Sequence, residues 1–132
     1  METRDLLHKV ILKTGPNQAY EAIIDPHKHS DFTNSPAEND GKVGGEHSAF
    51  DGYCFGENKE LTYGKRIVQS WQADEDEWPE DHFSTVIYEF TPVPGGTLLT
   101  FKQLGVPEEV ADTIDQGWID YYWEPLKAYF ED

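Results

Sequence analysis

The chain has 132 residues, 37% of them hydrophobic, a length that suits one folded domain over residues 1–132 rather than two. Its 26 acidic and 10 basic residues give a net charge of −16, which argues against nucleic acid and anionic membranes as partners because both are bound through Lys and Arg. No run reaches the roughly 18 apolar residues of a membrane span, and the N-terminus lacks a signal-peptide core, so we expect a cytoplasmic protein.

The first 45 residues predict a strand, two short helices and a loop. Residues 6–13 are rich in branched apolar side chains and predict a strand. Proline is tolerated in the first turn of a helix, so Pro16 predicts a helix over residues 16–24, and the Asp-Pro pair at 25–26 predicts a second one to about Phe32. Residues 33–45 are dense in turn formers and predict a loop.

From residue 46 the apolar side chains recur every second residue. Val86, Tyr88 and Phe90, for example, alternate with more polar neighbours, which is typical of a strand with one buried face. The predicted strands cover residues 46–50, 52–58, 60–63, 65–73, 83–90 and 97–104. Because the turns between them are short, we expect an antiparallel meander.

The last predicted element is an amphipathic helix over residues 105–130. Its apolar residues recur at steps of three and four and therefore share one face. They are Val110, Ile114, Gly117, Trp118, Tyr121, Tyr122, Pro125, Leu126 and Tyr129. A helix of about six turns with so aromatic a face needs an apolar partner, which the sheet can supply. Pro125 removes one helical hydrogen bond and predicts a bend.

Together these elements predict an α+β fold in which a twisted antiparallel sheet wraps around a long C-terminal helix. This is the helix-grip architecture, and it commonly leaves a cavity between helix and sheet. We expect no cofactor. The oligomeric state is left open.

Several motifs follow one another in an order that resembles a known family. They are GGEHSAFDGYCFGENKEL at 44–61, KRIVQSW at 65–71, a Trp-Pro pair at 78–79, STVIYEF at 84–90, GGTLLTF at 95–101, GVP at 105–107 and Gly-Trp at 117–118. From about Leu7 to Phe130 the chain resembles the family named after the C-terminal domain of the activator of the heat-shock protein 90 ATPase. That family belongs to the START-like (SRPBCC, birch-pollen-allergen-like) superfamily.

The resemblance implies a helix-grip fold whose cavity holds hydrophobic ligands or, in some branches, acts on them. In the eukaryotic activator this domain assists an N-terminal domain that docks on the chaperone, and we expect no such domain before Met1. The chain departs from the family pattern at Gln72, where arginine is common, at Phe32, where tryptophan is common, and in an unusually acidic loop over residues 73–82.

The candidate ligand-binding cavity is defined by side chains that can project between sheet and helix. The aromatic members are Trp71, Tyr88, Phe101, Trp118 and Tyr122, and the polar member is Gln103. Buried Tyr and Trp need partners for their polar tips, which suits a pocket with a few hydrogen-bonding points. The alternative is that the aromatic rings only fill the core. The Gln103 amide either points inward with Leu99 and Phe101 or faces water at the rim of the sheet.

Other reactive residues form no catalytic pattern. His27 and His29 are two apart, so in a helix they point in different directions, and we predict no metal site. We expect Cys54 to be a buried, inert thiol, and His8 and His82 to be surface residues. Motifs of nucleophilic or phosphate-binding enzymes do not occur in the sequence.

Three functions remain open at this stage. The first is a non-enzymatic domain that binds a small apolar or amphipathic ligand between sheet and helix. The second is a chaperone-associated or stress-related interaction module, which depends on the family resemblance alone. The third is a small enzyme, such as a cyclase or hydrolase, that uses the same cavity.

Overall fold

A seven-stranded antiparallel sheet packs on a C-terminal helix in the computed structural model. The structure describes residues 1–131, so Asp132, the last residue of the predicted domain, lies outside them. The strands are β1 (Thr3–Leu12), β2 (Glu38–Asn39), β3 (Glu46–Ala49), β4 (Cys54–Thr62), β5 (Arg66–Ala73), β6 (Ser84–Val93) and β7 (Gly96–Pro107). The short helices are α1 (Pro16–Ile24) and α2 (Pro26–Thr33). The predicted α+β helix-grip fold is confirmed.

The strand order is β1-β7-β6-β5-β4-β3-β2, so the meander from β2 to β7 is closed on one side by the N-terminal strand. Two details of the prediction were wrong. The loop at 33–45 contains the two-residue strand β2, and the strands predicted at 52–58 and 60–63 are one strand, β4. The Asn58-Lys59 pair forms an irregularity in β4 instead of a turn, because the buried Asn58 amide is hydrogen-bonded to Asn39 and Gln69.

The C-terminal helix spans 22 residues, from Glu108 to Tyr129. Its start was predicted three residues too early, because residues 105–107 still belong to β7. Gly105 has φ 84° and lies where the register with β1 shifts, so it is a bulge residue of the kind that favours glycine. Pro107 pairs with Thr3 and precedes the first helical turn.

This helix has three parts after its first turn, Glu108–Val110. They are α3 (Ala111–Trp118), a π-helical turn (Ile119–Trp123) and α4 (Glu124–Tyr129). Pro125 is the second residue of α4, and the wider turn ends two residues before it, at Trp123. A π turn is a common site of helix distortion, and here it precedes the residue whose ring would crowd the carbonyl four positions earlier. The irregularity predicted at Pro125 thus takes the form of a π turn.

The π turn also changes which side chains are buried. Trp118 and Trp123, five residues apart, stack with ring centres 5.5 Å apart and planes 17° apart. Tyr122 and Trp123 are both buried, whereas a regular helix would turn one of them further from the sheet. Trp123, which the helical spacing did not place on the apolar face, is therefore buried, whereas Tyr121 and Tyr129, which it did place there, are exposed.

Candidate functional site

An open cleft of about 390 Å³ lies between the C-terminal helix and the half of the sheet that contains β3, β4 and β5. Its walls are aromatic on both sides, with a few polar groups. The lining residues are Phe50, Tyr53, Cys54, Trp71, Glu75, Thr113, Ile114, Gly117, Trp118, Tyr121 and Tyr122. Sites for small molecules commonly have volumes of roughly 300 to 1,000 Å³ and this mixture of apolar walls and few polar groups.

Three of the predicted cavity residues form the inner wall of this cleft. The Trp118 ring lies 5.5 Å from Trp71 and 4.5 Å from Tyr122, measured between ring centres. Trp71 projects from β5, while Trp118 and Tyr122 project from successive turns of the helix. All three are buried side chains that still present an edge to the cleft.

The other three predicted residues lie behind this wall. Phe101 is fully buried with its ring centre 4.3 Å from that of Trp118, and Tyr88 contacts Phe101 at 5.2 Å. Gln103 is also fully buried, so its amide points inward with Leu99 and Phe101. None of these three residues lines the cleft. They pack behind the residues that do.

Protein groups satisfy the Gln103 amide. The Trp118 indole Nε1–H donates to Gln103 Oε1 at 2.7 Å, and Gln103 Nε2 donates to Ser84 Oγ at 3.0 Å. Ser84 Oγ in turn donates to the Trp71 carbonyl at 2.8 Å. This chain of hydrogen bonds joins β5, β6, β7 and the helix, and it fixes the orientation of the Trp118 ring in the cleft wall.

A small polar hollow of about 20 Å³ lies behind Tyr122, with room for about one water molecule. His29 Nε2 is 3.0 Å from the Tyr122 hydroxyl, while Nδ1 has no hydrogen-bond partner among residues 1–131. Burial lowers the pKa of His29 to about 4 and raises the pKa of Tyr122. Cys54 is buried, as predicted, and burial raises the pKa of its thiol to about 12, so the thiol is protonated at neutral pH.

The polar side of the cleft comes from the acidic loop after β5. Glu75 lines the cleft, and its Oε2 accepts a hydrogen bond from the Tyr53 hydroxyl. Gln72 fixes this loop, because its buried Nε2 donates to the carbonyls of Pro79, Glu80 and His82. Gln72 therefore holds the acidic loop in place.

The mouth of the cleft combines an exposed ring with a strained backbone. Tyr121 is 62% exposed, and its ring centre lies 6.0 Å from that of Phe50. Phe50 has φ 53° and Asp51 has φ 57°, a left-handed conformation that residues other than glycine seldom adopt. Such strain is common at ligand-binding positions and requires support from surrounding contacts, which Phe50 has in Tyr122 at 5.5 Å.

Two histidines lie away from the surface positions that the sequence predicted for them, and one of them, His8, closes the opposite edge of the helix. His8 was expected at the surface, but its ring is mostly buried: Nδ1 accepts from Trp123 Nε1 at 2.6 Å, and Nε2 donates to Asp115 at 2.6 Å. His82, also expected at the surface, is half-buried and donates from Nε2 to the Gly105 carbonyl at 2.6 Å. Both histidines bind neighbouring elements together.

Sequence reasoning missed the loop-borne part of the lining, namely Phe50, Tyr53 and Glu75. Phe50 was interpreted as the end of a strand before an Asp-Gly turn, and Glu75 as one of many surface acids. Thr113 was also missed, since it lies beside the predicted apolar helix face. A small residue on that face, Gly117, was the available signal for an opening beside the helix.

Residues 1–131 contain no group of three His, Cys, Asp or Glu side chains arranged to hold a metal ion. In the same part of the chain, every helix is too short or too polar to cross a lipid bilayer.

Comparisons with known proteins agree with this architecture. The family model described as "Activator of Hsp90 ATPase homolog 1-like protein" matches residues 13–131. The human protein "Activator of 90 kDa heat shock protein ATPase homolog 1" is 32% identical over 126 residues, which cover 92% of this chain and 37% of the human one. The chain therefore spans just over a third of the length of that relative.

Solved structures give the same result. A crystal structure of an Hsp90 activator from Plasmodium falciparum superposes with a TM-score of 0.87 at 26% identity, covering 94% of each chain. A Mesorhizobium loti protein has the same fold, with a TM-score of 0.81 at 19% identity and 96% of each chain covered. With the motif order, the helix-grip fold and these matches in agreement, the chain belongs to the Activator of Hsp90 ATPase homolog 1-like family, within the START-like superfamily.

Proposed function

We propose that this domain binds a small apolar or amphipathic molecule in the cleft between the sheet and the C-terminal helix. The observation that carries the proposal is the cleft itself, about 390 Å³ in volume, walled by Trp71, Trp118 and Tyr122. A filled core has no such space, because protein interiors are packed to the density of organic crystals.

Burial of apolar surface supplies the driving force. A ligand that loses about 200 Å² of apolar surface to the aromatic walls gains roughly 5 kcal/mol, at about 25 cal/mol per Å². Part of the lining is already held in place, since Trp118 is hydrogen-bonded to Gln103. A fixed wall reduces the entropy that binding costs, so a small probe is expected to bind with a dissociation constant between about 0.01 and 1 mM.

The test is a titration with 4-phenylbutanol, an uncharged amphiphile, followed by tryptophan fluorescence and calorimetry. In the Gly117→Leu variant a side chain projects into the cleft from the helix, and binding is expected to weaken at least tenfold. Gln116→Leu is the matched control, because it adds the same side chain at the neighbouring, exposed position that does not line the cleft. Equal binding by both variants, or no binding by the unmodified protein, contradicts the proposal.

The proposal assigns the cleft to binding and not to catalysis. The titratable groups on the lining are Glu75, which accepts a hydrogen bond from Tyr53, together with Cys54 and three tyrosines. Among the described residues of the lining, no Lys, Arg or His is present to act with them as a catalytic pair. We place the function in the cytoplasm, as expected from a sequence without a long apolar run or a signal-peptide core. Fractionation of the source cells tests this location.

A second candidate function is association with a heat-shock protein 90 chaperone. It is favoured by membership of the family and by the human relative, whose name describes an activator of that chaperone's ATPase. The net charge of −16 suggests a basic surface on the partner, so affinity should fall as salt increases. Calorimetry with a heat-shock protein 90 homologue tests it, and no detectable association at high micromolar concentration removes it.

A further inference from the structure

The charged side chains on the cleft lining are of one sign, negative. Glu75 is the one carboxylate there, and among the described residues that line the cleft there is no Lys, Arg or His. The ion pairs within residues 1–131 join basic side chains to other acids, such as Arg66 to Glu89 and Lys28 to Glu21, and none of these pairs includes Glu75. The cleft therefore carries an uncompensated negative charge at one point of an otherwise neutral, aromatic surface.

The rings around that charge add to the same preference. The faces of aromatic rings carry partial negative charge and attract cations, with tryptophan the strongest and tyrosine and phenylalanine next. Six lining residues are aromatic, namely Phe50, Tyr53, Trp71, Trp118, Tyr121 and Tyr122. A carboxylate beside several aromatic rings is a combination that suits an ammonium group attached to an apolar body.

Glu75 is held in position before any ligand arrives. The Tyr53 hydroxyl donates to its carboxylate, and the backbone N–H of Asp74 donates to the Tyr53 carbonyl at 2.8 Å. The Glu75 carbonyl accepts from the N–H of Trp78 at 3.0 Å, and Gln72 fixes the far end of the loop. A pre-positioned carboxylate contributes more to recognition than a mobile one, because binding does not have to order it.

The rest of the acidic loop after β5 repels anionic ligands. Six of the eight residues at 74–81 are acidic, so the potential at this side of the cleft is negative. A fatty acid or another carboxylate would bring its charge beside Glu75 without a cation to neutralise either group. Two carboxylates side by side repel each other, which disfavours binding, and the repulsion is stronger where aromatic walls exclude water.

We propose that the ligand of this cleft is a cationic amphiphile, with an amine or quaternary ammonium group placed against Glu75 and an apolar body packed against the wall formed by Trp71 and Trp118. This proposal rests on the function proposed above and names the chemical class of the ligand. It assigns Glu75 as the residue that selects charge, with the surrounding rings as its support.

The experiment compares three probes that share one apolar body, namely 4-phenylbutylamine, 4-phenylbutanol and 4-phenylbutanoate, by calorimetry at neutral pH and physiological salt. The amine is expected to bind about tenfold more tightly than the alcohol, and the carboxylate at least tenfold more weakly than the alcohol. In Glu75→Gln, which keeps an acceptor for the Tyr53 hydroxyl, the amine is expected to lose its tenfold advantage over the alcohol.

Glu77→Gln is the matched control, since it removes the same charge from an exposed position in the same loop, outside the lining. It should retain the preference for the amine. If the alcohol binds as tightly as the amine, or if Glu75→Gln keeps the preference, the charge-selective role of Glu75 is overturned while ligand binding stands. If none of the three probes binds, the proposed function itself is contradicted.

Discussion

The two edges of the helix–sheet interface differ sharply, although one helix and one sheet form both. At the edge beside β1 and β7, Trp123 donates to His8, which donates to Asp115, and the guanidinium of Arg4 contacts Glu108 and Asp112. At the edge beside β4 and β5, the cleft remains open and Tyr121 is exposed. The contacts at the closed edge hold the helix on the sheet, so the open edge can stay unfilled.

The π turn explains how one helix serves both edges. It inserts one extra residue into a turn, so that Trp123 reaches the closed edge while Tyr122 remains beside the cleft. Trp118 lies between the two, in contact with Trp71 on one side and Trp123 on the other. Changes at the closed edge should therefore affect stability, and changes at the open edge should affect binding.

Trp118 contacts both edges, so its replacement is expected to have the largest effect. Trp118→Ala removes a nearly fully buried ring and leaves Gln103 Oε1 without its donor. The free energy of unfolding should fall by about 3 to 5 kcal/mol, measured by urea denaturation. Tyr121→Ala at the exposed mouth is the control and should cost less than about 1 kcal/mol. Similar losses of unfolding free energy in both variants would contradict the distinction between the buried wall of the cleft and its exposed mouth.

The hollow behind the open edge predicts a pH dependence. His29 is neutral when folded, because its pKa is lowered to about 4, while in the unfolded chain it takes up a proton below about pH 6.5. The unfolded state therefore binds more protons between those values, and stability falls as the pH decreases from 6.5 towards 4. At pH 4.5 the loss from this group should be about 2 to 3 kcal/mol.

The measurement is urea denaturation at a series of pH values in two matched variants. His29→Leu should remove this part of the pH dependence, and His27→Leu, at an exposed histidine in the same helix, should retain it. Parallel pH profiles for the two variants would show that His29 is not the group responsible.

The hydrogen bond from Trp118 to Gln103 ties the helix to the sheet between the two edges. Gln103→Leu leaves the buried Trp118 indole N–H without an acceptor, which should cost about 1 to 3 kcal/mol. In a double-mutant cycle with Trp118→Phe, which has no indole N–H, the second change should cost less than it does alone. Additive effects of the two substitutions would mean that the bond does not stabilise the fold.

The smallest expected effect is a gain of stability at the open edge. Gly117→Ala should raise the free energy of unfolding by about 0.5 to 1 kcal/mol, because glycine in a helix loses more backbone entropy on folding. A Cβ atom there meets Tyr121 at 3.8 Å, an ordinary contact. Gly105→Ala is the contrasting control and should destabilise, since φ is 84° in the bulge. A loss of stability in Gly117→Ala would mean that the cleft wall is tighter than described.

The sequence predicted those parts of the fold and site that depend on periodicity. Alternation in β6 and β7 identified Tyr88 and Phe101 as inward-facing, helical spacing identified Trp118 and Tyr122, and the direction of Gln103 was left open between the core and the rim of the sheet. Their side chains are buried because the period of a strand or helix fixes the direction in which each side chain points.

The remaining features depend on tertiary structure that periodicity does not carry. Phe50 and Glu75 line the cleft from irregular segments, where spacing says nothing about direction. The π turn cannot be inferred from Pro125 alone, since a bend would also accommodate the proline. Gly105 looked like the start of a helix because a Gly-Val-Pro run does not distinguish a bulge in a strand from a turn.

The most direct test of the account is to locate a bound amphiphile by NMR. Intermolecular nuclear Overhauser effects are measured between 4-phenylbutylamine and the aromatic side chains of the protein. The account predicts contacts with Phe50 and Tyr121 at the mouth of the cleft. An alternative aromatic surface exists on the outer face of the sheet, where Phe55 and Phe83 lie 6.0 Å apart and are exposed. Contacts with that pair alone, and none with Phe50 or Tyr121, would contradict the assignment of the cleft as the binding site.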